Sequence, residues 1–262
     1  MTGMLVLALV ASLSPGARGG RAEPAPGDSQ IRAPGDSQIK APGDSQIQAD
    51  VQQRLKGLDL GPSGLTVDVQ DGVVTLSGSV PTLWVKDDAV KRARKASNVQ
   101  SLVSDLTIPK AESDLALARE VADRIRHYDL YSVYDNIDGS VHNGVVRLAG
   151  AVTEPKKATD ILERIAKVRG VQAIDNHVEV LPVSQSDDRL RVRIATAIYS
   201  DPAFENYSRV DPPIRVIVNN GHVTLVGVVR AELERFKAES LTRMIPGVLA
   251  FENKVQVPSG RK

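Results

Sequence analysis

Three stretches of the chain carry the same order of apolar and polar positions. Residues 69–80 (VQDGVVTLSGSV), 141–152 (VHNGVVRLAGAV) and 218–229 (VNNGHVTLVGVV) align without a gap on the pattern V-x-[DN]-G-x-V-x-L-x-G-x-V. The pairs Asp71 and Gly72, Asn143 and Gly144, and Asn220 and Gly221 are dipeptides of a two-residue hairpin turn, whose central positions need positive φ. Val74 and Leu76, Val146 and Leu148, and Val223 and Leu225 then recur at period two, which marks the buried face of a strand. Gly78, Gly150 and Gly227 stand two residues further on that face. A missing side chain there leaves room for close backbone approach, expected from a helix.

Helical spacing flanks each hairpin. Before it, Ile47, Val51 and Leu55, then Leu117, Val121 and Ile125, then Leu190, Ile194 and Ile198 form i, i+4, i+8 stripes. Capping candidates precede them: Asp44 or Ser45, Ser113 or Asp114, and Ser186 or Asp187, with an S-x-x-Q capping box from Ser45 to Gln48. After the hairpin, Ala89, Ala93 and Ala96, Ile161, Ile165 and Val168, and Ala238, Thr242 and Ile245 form a second set of stripes. These helices are expected to end at Asn98, Gly170 and Gly247, residue types that accept a left-handed position. Val99, Val171 and Val248 each lie 27 residues beyond their turn glycine, and a final strand follows.

The reading is α+β: three tandem αββαβ modules, each a three-stranded mixed sheet covered on one face by two helices. Their strand order is left open. The modules span 45–110, 113–183 and 186–258. Units of this size bury small cores, so they are expected to pack on one another. A disordered N-terminal segment precedes them. Residues 4–13 form a short apolar run, and Gly20, Arg21 and Ala22 offer a small-x-small cleavage site, so 1–22 reads as a signal peptide of an exported, periplasmic protein. The octapeptides APGDSQIR, APGDSQIK and APGDSQIQ make 23–44 a linker whose composition builds no core.

The 33 Lys and Arg against 32 Asp and Glu leave no global pull toward nucleic acid. The absence of cysteine removes disulfides, thiolate metal sites and thiol nucleophiles. The four histidines are dispersed. Copy one has Gln70 and Val73 where the others have His142 and His222, and no H-x-x-x-H, G-x-S-x-G or phosphate-cradling loop occurs. The expectation is a protein that is not an enzyme and that uses no cofactor and no metal.

The triplicated motif, with a helix before it and a helix and strand after it, resembles the BON domain across about residues 46–258. Exported proteins built from such domains are similar to the osmotically induced periplasmic protein family of Gram-negative bacteria. That resemblance implies an envelope-stress or osmotic-stress protein in contact with phospholipid, or chaperone-like assistance to envelope proteins. Two-copy members and members with a lipidated cysteine differ from this chain, which has three copies and no cysteine.

Two residue groups are candidates for contact. Lys91, Arg92, Arg94 and Lys95 follow Trp84 on the second helix of copy one, a basic surface suited to anionic head groups. Tyr128, Tyr131 and Tyr134, with Tyr199, Phe204 and Tyr207 at the matching place in copy three, put six of the nine aromatics in one loop type. They form either a partner-binding surface or the closure of each small core. The partners expected are thus an anionic phospholipid surface or, in the alternative, envelope proteins. The oligomeric state is left open. The turn glycines Gly72, Gly78, Gly144, Gly150, Gly221 and Gly227 are structural.

Overall fold

All three hairpin dipeptides form the turns that their residue types require. Asp71, Asn143 and Asn220 have φ of 49°, 51° and 50°, and Gly72, Gly144 and Gly221 have 76°, 77° and 76°. The computed structural model describes residues 42–62, 64–207 and 212–258. The export segment assigned to 1–22 and the linker up to residue 41 lie outside the described residues.

Module 1 runs α1 (Pro42–Leu55), β1 (Leu65–Gln70), β2 (Val73–Ser79), α2 (Leu83–Ala93) and β3 (Ser101–Thr107). Module 2 repeats this with α3 (Asp114–Arg126), β4 (Asn136–His142), β5 (Val145–Val152), α4 (Pro155–Ala166) and β6 (Ala173–Val180). Module 3 has α5 (Gln185–Tyr199), a 3-10 turn (Pro202–Phe204), β7 (Ile214–Asn219), β8 (His222–Val228), α6 (Glu232–Arg243) and β9 (Ala250–Gln256). Among the described residues these strands form three separate three-stranded sheets. In each, the hairpin strand is central, antiparallel to the strand before it and parallel to the strand after the second helix. That settles the strand order.

Each sheet buries its period-two residues against the two helical stripes, giving three cores. Val74 and Leu76 meet Val51 and Ala89, Val146 and Leu148 meet Val121 and Ile161, and Val223 and Leu225 meet Ile194 and Ala238.

The first-helix carboxylates do not cap. Ser113, one of the two candidates there, caps α3. Helix α5 is capped by Ser184, whose hydroxyl accepts from Asp187 N, and not by Ser186 or Asp187, because the helix starts earlier, at Gln185. Asp44 Oδ2 accepts from Asp71 N and Oδ1 from Gly72 N, both at 2.9 Å. Asp114 holds Asn143 N and Gly144 N at 2.7 and 3.0 Å, and Asp187 holds Asn220 N and Gly221 N at 2.7 and 2.9 Å. In a type I′ turn the two central N–H groups project outward. One carboxylate satisfies both and ties the helix start to the hairpin. The Gly144 and Asn143 amides hold the Asp114 carboxyl below the usual carboxylate range. On its other side each turn accepts from the third strand's approach: Gln100, Gln172 and Leu249 donate to the carbonyls of Gly72, Gly144 and Gly221 at 2.9 Å.

Three further expectations are corrected. The glycines Gly78, Gly150 and Gly227 make room for a neighbouring strand, not a helix. With φ of 126°, 123° and 143°, a Cβ on them would lie 2.7, 2.2 and 1.8 Å from the carbonyl oxygens of Gly64, Asn136 and Pro213, where the paired strand starts. The Ser45 capping box is absent, because α1 already starts at Pro42 and Gln48 donates instead to Val67 O at 2.8 Å. The second helices end four or five residues before Asn98, Gly170 and Gly247. Bonds to the third residue back, such as Ala96 N to Ala93 O and Val168 N to Ile165 O, tighten the chain out of the helix first. The left-handed positions themselves stand, with φ of 61°, 92° and 101°.

Candidate functional site

Helix α2 owes its orientation to Thr82, whose hydroxyl accepts from Val85 N at 3.3 Å, and to the buried Val85, Ala89 and Ala93. That face turned inward leaves Lys91, Arg94 and Lys95 exposed. Among the described residues none of the three has an ion-pair partner. Arg92 is different: it donates to Asp88 at 2.9 Å and to Arg54 O at 3.3 Å, so it ties α2 to α1. The corresponding helices pair most of their cations, and Arg164 on α4 stacks on Tyr128 instead. On α4, Lys156 pairs with Asp160 and Lys167 with Glu163, while on α6 Arg235 pairs with Glu232, Lys237 with Asp201 and Arg243 with Glu239.

Trp84 shares the face of Lys91 by helical spacing, yet its ring is engaged. It is half-buried against the module 1 core, and Lys167 of module 2 lies 4.9 Å above its centroid. Leu83 beside it packs on both the first and second cores, and Gln172 Nε2 donates to Ile108 O at 3.1 Å. Trp84 is therefore part of the junction between modules 1 and 2.

The tyrosine loops are largely turned inward. Tyr128 is buried and its hydroxyl donates to Asp160 at 2.7 Å; burial, together with that carboxylate, pushes its pKa up to about 12. Tyr131 accepts from Ile137 N at 2.9 Å and lies under Arg215. In module 3, Phe204 is buried and Tyr199 both donates to Ile214 O at 2.6 Å and accepts from Ile214 N at 2.9 Å. Tyr207 donates to Glu234 at 2.6 Å. Tyr134 and Val133 belong to module 2 but pack on the core of module 3. There Val216 N donates to Val133 O at 2.8 Å and Arg215 Nη1 to Ser132 O at 3.3 Å, so this loop lies along the outer edge of β7.

What holds that loop is a buried ion pair that sequence reading missed. Asp135 Oδ2 accepts from Lys157 Nζ (2.8 Å), Ser132 N (2.8 Å) and Ser132 Oγ (2.6 Å), and Oδ1 accepts from Thr153 N (2.8 Å). Burial pushes the Asp135 carboxyl up, but the bonds from Lys157, Ser132 and Thr153 outweigh it and leave it below the usual range. Both side chains are nearly solvent-free.

A second surface also escaped notice. Leu233 and Phe236 on α6, Met244 at its end and Leu249 beyond it are 77%, 56%, 78% and 76% exposed. The spacing 233, 236, 240, 244 is a readable helical stripe opposite Ala238 and Thr242. The guanidiniums of Arg235 and Arg243 flank it, stacked on Phe236 and Phe251. Among the described residues there is no cluster of three or more potential metal ligands, and no helix is long and apolar enough to cross a membrane.

Among solved structures the chain is similar to CdsD, a structural protein of the type III secretion system of Chlamydia trachomatis. Identity is 17% over 79% of this chain and 90% of that one, with a TM-score of 0.24. The CdsD C-terminal domain matches at 16% identity over 82% of this chain and 96% of that one, also with a TM-score of 0.24. Scores this low carry nothing about arrangement or role. No curated protein matches the chain. The sequence model of the BON domain matches residues 43–110, 113–182 and 186–259, which takes in all three αββαβ units. The chain belongs to the BON domain family.

Proposed function

We propose that this is an exported, periplasmic envelope protein that binds anionic phospholipid surfaces without covalent chemistry. The observation that carries the reading is the set of three exposed cations without an ion pair among the described residues, Lys91, Arg94 and Lys95, at the end of a helix whose two counterparts pair most of theirs. Each cation near an anionic surface contributes about 1 kcal/mol, so three raise partitioning by roughly 100-fold at low ionic strength. Trp84 drops out of this surface, because Lys167 covers it. An apolar foothold of the kind Trp84 was to supply is present instead along α6 and at its end, in Leu233, Phe236 and Met244. Membership of the BON family supports a membrane-related role.

Flotation with phosphatidylcholine vesicles, with and without phosphatidylglycerol, tests this. The full chain should float with the anionic vesicles at low salt and lose most of that binding at high salt. K91E/R94E/K95E should abolish the salt-sensitive part, and L233S/F236S/M244S should remove what persists at high salt. Equal flotation of the charge-reversed protein, or none by the native chain, overturns the proposal.

A further inference from the structure

The three modules differ at one place that their repetition makes easy to see: the groove between the first helix and the outer edge of the first strand. In module 3 this groove is closed. Arg191 on α5 is buried and donates to Val218 O at 2.6 Å, Val216 fills the core face of β7, and the module 2 loop lies along the edge with Val133 packed on the module 3 core. In module 1 the corresponding helix residue, Gln48, donates to Val67 O at 2.8 Å, and Val67 is buried. Module 2 has Ala118 where the others have Gln48 and Arg191, and Gly139 where they have Val67 and Val216. Among the described residues no side chain of α3 bonds across to β4. The middle of β4 is exposed where β7 is buried, and a cavity of about 170 Å³ opens between α3 and β4, lined by Ala118, Val121, Ala122, Ile125 and Gly139.

The backbone does not require a glycine at 139. Its φ is not in the left-handed region, and a Cβ there would meet Leu148 Cδ2 at 3.4 Å and Arg147 O at 3.5 Å, ordinary contacts. Its effect is to leave space. The register also sets what the edge offers. Val216 points its N–H away from β8, toward Val133 O, and Gly139 occupies the same position opposite Leu148. Among the described residues no group outside the sheet bonds to Gly139.

We infer that the α3/β4 groove of module 2 binds an extended segment of another polypeptide by adding a strand to β4. The occupant's chemistry follows from the segment already seated in module 3. It is a stretch that gives a carbonyl to the edge N–H and places a β-branched apolar residue, the counterpart of Val133, over Ala118 and Ala122. The site is continuous with the module 2–module 3 junction, since Tyr131 and Arg215 line its far end. Arg126 and Arg215 along one side favour an acidic residue next to the apolar one, weakly, because Arg126 is paired with Asp123 and Arg215 stacks on Tyr131. This inference is independent of the lipid reading.

The test uses a fluorescent, end-blocked peptide with the sequence of residues 130–136, titrated with the full chain and followed by anisotropy. A dissociation constant on the order of 0.1–1 mM is expected for so short a strand. A118Q, which gives module 2 the helix residue that in module 1 bonds to the edge carbonyl of Val67, should weaken binding at least tenfold. Its thermal melt, read beside, should stay at or above that of the native chain. The same peptide with Asp in place of its Val should not bind. K91E/R94E/K95E should bind the peptide as the native chain does, so failure of the lipid proposal leaves this one standing. No binding by the native chain at millimolar peptide overturns the inference, and so does binding that survives A118Q.

Discussion

Modules 1 and 2 meet the same packing problem with opposite chemistry. Where the second helix begins, module 1 places Val85 and module 2 places Lys157, at matched distance from the strand valines Val80 and Val152, and both are buried. Val85 joins an apolar core. Lys157 instead meets Asp135, whose remaining lone pairs are taken by Ser132 and Thr153. A buried pair of this kind seldom adds net stability over a well-packed apolar pair. What it adds here is a fixed loop. Asp135 holds Ser132, and the carbonyls of Ser132 and Val133 are the atoms that bond to module 3. The frame of hairpin, glycine and aspartate clamp is common to both modules, and divergence has gone into the wall that decides what each module touches.

The largest effects should come from the common frame. Alanine at Gly78, Gly150 or Gly227 combines a positive φ with a Cβ driven into a backbone oxygen. The clash distances of 2.7, 2.2 and 1.8 Å predict a rising series. Gly78→Ala should be mildest, and Gly150→Ala and Gly227→Ala should each cost about 4 kcal/mol or more. Urea unfolding reads the order, and a flat series would mean that the strands slide apart freely.

Next in size is the wall itself. Asp135→Ala strands a buried lysine and should cost about 3–5 kcal/mol, whereas D135A/K157V, which gives module 2 the valine of module 1, should recover most of that loss. The double variant should still lose the docking of residues 132–134 on β7, visible as faster hydrogen exchange at Val216 N. If the double variant is stable and that amide stays protected, the ion pair has no part in shaping the loop.

The clamps come third. Asp187→Ala leaves the buried Gly221 N–H without its acceptor and should cost about 2 kcal/mol, as should Asp44→Ala in module 1. These residues show where sequence reading stops. Asp44, Asp114 and Asp187 were visible as helix-start carboxylates, and the turn dipeptides were visible too. Each signal is local. That one carboxylate serves a turn 27 to 34 residues away appears only when the helix is laid on the hairpin. The same limit hid the Asp135 and Lys157 pair, 22 residues apart, because neither sits in a motif. It also misassigned Gly78, Gly150 and Gly227, for a strand face shows that space is needed but not which backbone fills it. The repeat, the stripes and the turns were legible because each is periodic or contiguous. For the candidate site, Lys91, Arg94 and Lys95 were legible as a charge run, while the engagement of Trp84 depends on Lys167 in another module.

The smallest effect, and the one that best separates the two walls, is the response to acid. Burial alone would raise the Asp135 pKa, and the bonds from Lys157, Ser132 and Thr153 oppose it and win. A carboxyl lowered in the folded state contributes stability that is present above the unfolded pKa of about 3.9 and lost as pH falls through the folded value. The contribution of this pair should therefore be unchanged from neutrality down to about 4. Below that, the Ser132 and Thr153 amide resonances should titrate together, with a midpoint under that of an unperturbed aspartate. The amides around Val85 in module 1 should instead follow Asp87, whose carboxyl burial pushes up, so an inflection there should lie above the ordinary aspartate value. A midpoint above that value at Ser132 and Thr153 would mean that desolvation dominates in module 2 as well, and the loop would then already loosen in mild acid.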